Sequence, residues 1–201
     1  MKILLKKATL INDKSVFHNK KVDILIDDGL LSKIDNNIDV KADQLINLEE
    51  LYVSSGWFDP NISFGEPGFE ERETLENGLL TAAKSGFTHV LLNPNTNPKT
   101  STLADVNHLI KSTISQTTKL HISAVLSEKN YGNKMASLYD MHIAGAKAFG
   151  NFNETIINPN ELKIALDYLQ TFGGIVQSYP IDKKLCENGQ IHEGEISVKL
   201  G

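Results

Sequence analysis

Two short stretches hold most of the side chains able to do chemistry. In Trp57-Phe58-Asp59-Pro60-Asn61-Ile62-Ser63, the residues Asp59, Asn61 and Ser63 stand two apart. On an extended chain they share one face, offering a carboxylate, an amide and a hydroxyl together. That set could hold a polar ligand, or simply end a strand before the turn Gly65-Glu66-Pro67-Gly68. The second stretch, Asn93-Pro94-Asn95-Thr96-Asn97-Pro98, packs amide donors into a loop stiffened by proline. It suits a carboxylate ligand or ordinary turn hydrogen bonds, and composition alone favours the turn. The six histidines, His18, His89, His108, His121, His142 and His192, include no pair spaced for a shared metal on one strand or helix face. His89 and His121 fall early in their strands, away from the carboxyl ends, and read as structural. Cys186 has Lys183 and Lys184 close by in sequence. No partner for a Cys-His nucleophile accompanies it, so it reads as a bystander thiol. Dinucleotide, Walker and nucleophile-elbow patterns do not occur.

The elements that would position these residues change character at Leu51. Before it, apolar runs at Ile3 to Ile11, Val22 to Ile26, Leu30 to Ile34 and Gln44 to Leu48 are broken by polar and glycine turns, the pattern of a small β unit. After it, strands at 51–58, 88–92, 120–126, 146–149 and 174–178 alternate with helical periods at 70–85, 102–115, 134–143 and 160–172. A last helix starts near Glu193. In the helix at 160–172, Leu162, Ile164, Ala165, Tyr168 and Leu169 line one stripe. Such alternation predicts parallel β-α units, which begin a doubly wound sheet and a (β/α)8 barrel alike. In either fold the chemistry gathers in loops at the carboxyl ends of strands, where both polar stretches fall.

Composition narrows the function. The 201 residues carry a net charge of −5, with 20 basic side chains scattered rather than clustered. That argues against nucleic acid or an anionic membrane as partner. No apolar run is long enough to span a bilayer, and the start Met1-Lys2-Ile3-Leu4-Leu5 lacks a cleavage site. One cysteine and no secretion signal make the cytoplasm the expected compartment.

The stretch from Val53 to Pro98, with its Glu66-Pro67-Gly68-Phe69-Glu70 and Pro94-Asn95-Thr96-Asn97-Pro98 pieces, resembles the first two barrel strands of dihydroorotases in the amidohydrolase superfamily. Glu187-Asn188-Gly189 and Glu193-Gly194-Glu195-Ile196-Ser197 resemble the segment after that family's fourth barrel strand. The resemblance runs the whole chain. It implies a small β-sandwich segment over 1–53 and, over 54–201, the N-terminal half of a (β/α)8 TIM barrel with about four β-α units. It also implies interconversion of carbamoyl-aspartate and dihydroorotate in pyrimidine synthesis, with one or two zinc ions.

At the family's metal positions this sequence departs. The Asp-x-His-x-His motif stands as Asp59-Pro60-Asn61-Ile62-Ser63, and the arginine that follows is Gly65. The metal-bridging aspartate falls at Asn151, and the histidine after the fourth strand at Tyr179. Carboxamide and hydroxyl oxygens are poor zinc ligands beside imidazole, and glycine cannot clamp a carboxylate. Two positions match: Asn95, which in the family binds substrate carboxylate, and Lys147, which is carboxylated between metals in some branches. Without histidine partners, Lys147 reads as an ordinary amine.

The resemblance and its departures together predict a non-catalytic dihydroorotase-like chain, with no catalytic residue, no bound metal and no cofactor. Its expected role is as a structural or regulatory partner of aspartate transcarbamoylase, as such chains have in some bacteria. Two other readings stay open: an active cyclic-amide hydrolase using atypical ligands such as Asp59 and Lys147, and a module that binds a carbamoyl-aspartate-like anion through Asn95. A half-barrel exposes its inner face, so the chain is expected to be a fragment of a larger one or to homo-oligomerise.

Overall fold

The computed structural model describes residues 1–128, 134–156, 158–182, 186, 189 and 191–200. The chain forms two compact units, Met1–Gly56 and Trp57–Gly201.

The first unit is a five-stranded mixed sheet. β1 (Lys2–Ile11) pairs antiparallel with β2 (Lys21–Asp27), and β2 pairs antiparallel with β3 (Leu30–Asp35). β4 (Gln44–Ile46) and β5 (Tyr52–Ser54) lie parallel to successive parts of β1. Ala8, Leu10, Val22 and Ile24 form one apolar cluster on this sheet. Asp23, only 2% exposed, accepts from Lys6 Nζ at 2.6 Å, the Ile38 N–H at 2.9 Å and the Lys7 N–H at 3.0 Å. Burial alone would raise its carboxyl pKa. The Lys6 ammonium and the two backbone donors outweigh burial and hold the pKa below its ordinary value.

The second unit is a parallel sheet in the order β10-β9-β8-β7-β6. Its strands are β6 (Trp57–Ile62), β7 (Phe87–Leu92), β8 (Lys119–Ala124), β9 (Ala148–Phe149) and β10 (Ile175–Val176). Between them run α1 (Leu75–Lys84), α2 (Leu103–Thr113), α3 (Leu138–Ala144) and α4 (Pro159–Gln170), and α5 (Glu195–Leu200) follows β10. This is the start of a (β/α) barrel. Four strand-helix units precede β10, so Tyr179 follows the fifth parallel strand, not the fourth.

Period two divides the two faces of this sheet. Val90 and Leu92 on β7, and Leu120, Ile122 and Ala124 on β8, join Leu75, Leu79, Val106, Leu109, Met141 and Leu169 of the helices in one core. Fully burying such a side chain stabilises by about 1.5–3 kcal/mol. The alternate residues, His89, Leu91, His121 and Ser123, take the opposite, inner face.

Four elements differ clearly from the sequence reading, the helix expected over 134–143 being α3 (Leu138–Ala144), with Met135 in a bridge to Ser127. The strand expected over 51–58 is two strands, broken at Ser55-Gly56, with β5 in the first sheet and β6 in the second. The helix expected from Glu70 starts at Leu75, because Thr74 caps it by accepting from the Asn77 N–H at 3.2 Å. On α4 the buried stripe is Glu161, Ala165 and Leu169, spaced by four, whereas Ile164 and Tyr168 are 48% and 40% exposed.

Candidate functional site

The carboxyl ends of β6 and β7 bring the two polar stretches together. Pro60 has no N–H to give the ladder, and the β6–β7 register slips between Asp59 and Ile62. Across this bulge the Asp59 carboxylate accepts from the Asn61 N–H at 2.9 Å. The following loops then dock on each other: the Asn97 N–H donates to the Pro67 carbonyl at 2.9 Å. Gly68 (φ +95°) permits the approach, since a Cβ there would lie 2.0 Å from the Asn97 carbonyl oxygen.

This docking pairs the side chains at the rim. Asn93, 2% exposed, donates from Nδ2 to Asn61 Oδ1 at 2.6 Å. Asn95 Nδ2 donates to Ser63 Oγ, leaving Asn95 Oδ1 buried without a partner. Rotating that amide by a half turn lets the Ser63 hydroxyl donate to Oδ1 and frees Nδ2. From the other edge of the sheet, Gln177 reaches inward just past β10. Its Nε2 donates to the Pro60 carbonyl at 3.2 Å, and its Oε1 accepts from Ser123 Oγ. The Pro60 carbonyl is available because of the bulge.

Asn151 also has a complete set of partners. It is 5% exposed; its Oδ1 accepts from the N–H groups of Leu126 at 3.1 Å and Ser127 at 3.2 Å, and its Nδ2 donates to Ser127 Oγ at 3.1 Å. It ties the loop leaving β8 to the loop leaving β9.

The remaining candidates lie elsewhere. Lys147 is exposed and comes just before β9, where its N–H donates to the Ile122 carbonyl at 2.9 Å and its ammonium helps to keep a proton off His121. Four residues separate it from Asn151, about 13 Å of extended chain. Tyr179, 40% exposed, lies three residues past Val176, and Cys186 Sγ is 2.9 Å from the Asp182 carbonyl oxygen. Lys183, Lys184, Glu187 and Asn188 lie outside the described residues. Gly65 has no room for a side chain at all: a Cβ would meet the Phe69 carbonyl oxygen at 1.8 Å and the Glu73 oxygen at 2.9 Å.

These donors do not fit a catalytic zinc. The oxygens of Asn61, Ser63 and Asn151 already accept protein hydrogen bonds. Asp59 is the one carboxylate among the residues matched to the family motif, and no group of three His, Cys, Asp or Glu able to hold a metal occurs among the described residues. Asn93, Ser123 and Gln177 were not singled out from the sequence. Asn93 shares the alternation of Asn95 and Asn97, which could have marked it; Gln177 follows Ile175 at period two.

A parallel sheet with helices between its strands, and a polar site at its carboxyl edge, is the arrangement on which (β/α) barrel enzymes build their sites. Residues 53–201 match the model of the family described as dihydro-orotase-like, and the chain belongs to that family. Among curated relatives, the dihydroorotase of Pelotomaculum thermopropionicum is 29% identical over 201 residues, covering 100% of this chain and 47% of its own length. That of Ruminiclostridium cellulolyticum is 30% identical over 202 residues, again covering 100% and 47%. The chain thus spans about half the length of the curated relatives it matches. The L-hydantoinase structure from Arthrobacter aurescens superposes with a TM-score of 0.73 at 20% identity, covering 87% of this chain and 39% of that one. A dihydroorotase crystal structure gives 0.60 at 12% identity, covering 92% and 54%. Both show the fold. Among the described residues no helix is long and apolar enough to cross a membrane.

Proposed function

We propose that this chain is a non-catalytic dihydroorotase-like protein of pyrimidine synthesis, acting as a structural or regulatory partner of aspartate transcarbamoylase. One observation carries the reading: the strand ends are cross-tied by neutral amides and hydroxyls. Zinc hydrolases need a metal to bring the pKa of water to about 7, and imidazole or carboxylate donors to hold that metal. Here Asn61–Asn93, Ser63–Asn95 and Ser123–Gln177–Pro60 occupy one another instead. Such a network suits a rigid scaffold, because Asn61, Asn93, Ser63, Ser123 and Gln177 are engaged by one another or by the Asn95 and Pro60 groups without a ligand. Asn95 Oδ1 alone of this set is buried without a partner.

The partnership is tested by sedimentation velocity of the chain mixed with aspartate transcarbamoylase from the same organism. A co-migrating complex that survives zinc chelation is expected. Two independent boundaries at micromolar concentrations of both proteins would remove the partnership.

A further inference from the structure

Two imidazoles meet on the inner face of the sheet, below the carboxyl rim. The ladder sets His121 beside Leu91 and His89 beside Lys119, so the two histidines are diagonal neighbours on β7 and β8. His89 Nδ1 lies 2.9 Å from His121 Nε2, with ring centroids 5.2 Å apart and planes inclined by 17°. A nitrogen contact that short between centroids that distant means the rings lie edge to edge, each nitrogen aimed at the other. The contact is a single N–H···N hydrogen bond, one nitrogen donating and the other accepting. The edge of the His121 ring system also meets Phe58, centroids 6.1 Å apart and planes at 88°, which limits its rotation.

We propose that His89 Nδ1 and His121 Nε2 form a chelating site for one late first-row divalent cation, of the class Ni2+, Cu2+ or Zn2+. Imidazole nitrogens bind such ions at about 2.0–2.1 Å, so two of them at a tetrahedral angle stand about 3.3 Å apart. Opening the 2.9 Å contact to that span takes a few tenths of an ångström, and each ring, now aimed at the other's nitrogen, must also swing by about 35° for both lone pairs to converge on the ion. The ion takes the place of the bridging proton, which passes through solvent to the outer nitrogen of its own ring, so both imidazoles stay neutral. Burial, His89 and the ammonium groups of Lys119 and Lys147 hold the His121 pKa below its ordinary 6.5, so protons compete less with an ion there. His89 is exposed, and water fills the other coordination positions, since no third His, Cys, Asp or Glu joins the pair among the described residues. The cost of the location is the positive charge of Lys119 and Lys147, which weakens cation binding. His89 stands four residues before Asn93, about 13 Å along the strand, and His121 two before Ser123, about 7 Å, so neither is part of the rim network and the site does not rest on its proposed inactivity.

Calorimetric titration of the whole chain with nickel, copper and zinc chlorides tests the site, with electron paramagnetic resonance of the copper form. One ion per chain is expected at this pair, copper binding more tightly than nickel or zinc. Nitrogen hyperfine structure from two imidazoles is also expected. Outer-shell partners alone carry about ten- to hundredfold in metal affinity, so His89→Asn and His121→Asn should each weaken binding at least about tenfold. Lys147→Gln should tighten it. Equal affinity in both histidine variants, a copper spectrum with fewer than two imidazole nitrogens, or no binding by the unaltered chain at millimolar metal would each overturn the proposal. The spectrum of the unaltered chain keeps the test decisive if either variant fails to fold.

Discussion

Putting an arginine back at position 65 should not rebuild a carboxylate clamp; it should destabilise the loop. The backbone leaves no volume beside Gly65, where a Cβ would sit 1.8 Å from the Phe69 oxygen, 2.7 Å from its carbonyl carbon and 2.9 Å from the Glu73 oxygen. All three are backbone atoms, so no rotamer change relieves the clash. Moving them breaks the bonds that shape the loop, Gly65 N–H to the Glu73 carbonyl and Phe69 N–H to the Gly65 carbonyl, both 2.9 Å. At about 1 kcal/mol for each hydrogen bond, with some loop strain added, Gly65→Ala should cost about 2–3 kcal/mol. For a chain of this size that is a fall of about 4–12 °C in melting temperature. Gly65→Arg should fall at least as far and gain no affinity for carbamoyl-aspartate. Thermal denaturation followed by circular dichroism reads the first quantity, and calorimetric titration the second. An alanine variant that melts within a degree of the parent would refute the steric argument. An arginine variant that newly binds the dicarboxylate would refute the conclusion drawn from it.

Asn151→Ala leaves the N–H groups of Leu126 and Ser127 without their acceptor, and should destabilise by about 2–4 kcal/mol in urea unfolding, whereas Asn151→Asp, which keeps an acceptor there, should cost less. Acid should weaken the two units in different pH windows. His121 has a lowered pKa, so from pH 6.5 down to that folded value the unfolded chain binds a proton that the folded chain refuses, and stability falls as pH falls; His121→Asn should flatten this slope. Asp23 also has a lowered pKa, so its contribution is complete above 3.8 and is lost as pH falls through the folded value; Asp23→Asn should remove that second slope. Denaturation midpoints between pH 3 and 8 check both signs.

The architecture was legible because strand and helix periods differ and the core obeys them: Val90 and Leu92, or Leu120, Ile122 and Ala124, mark the helix-facing side of their strands without any tertiary information. The break between β5 and β6 was not legible, since Leu51 to Phe58 is one extended run and only partner choice divides it. Glu161, an acidic residue on a buried stripe, shows why α4 was read too broadly; Ile164 and Tyr168 lie on an exposed side that apolarity alone does not reveal. At the rim, ligand chemistry at Asn61, Ser63 and Asn151 could be judged from residue type. What fills the vacated role could not. The Asn61–Asn93 pair depends on loop docking, and Gln177 meets Pro60 across 117 residues of sequence through a carbonyl freed by a bulge. His89 and His121 read separately as structural residues, and only the register of β7 against β8 makes them a pair.

With neutral groups tied to one another at the strand ends, no metal-dependent ring hydrolysis is expected of this chain. Dihydroorotate turnover by the purified chain at neutral pH, with zinc supplied in excess, measures this directly. A rate equal to that of zinc in buffer alone, unchanged by Asp59→Asn, is expected. Zinc-dependent turnover that disappears in Asp59→Asn would contradict it.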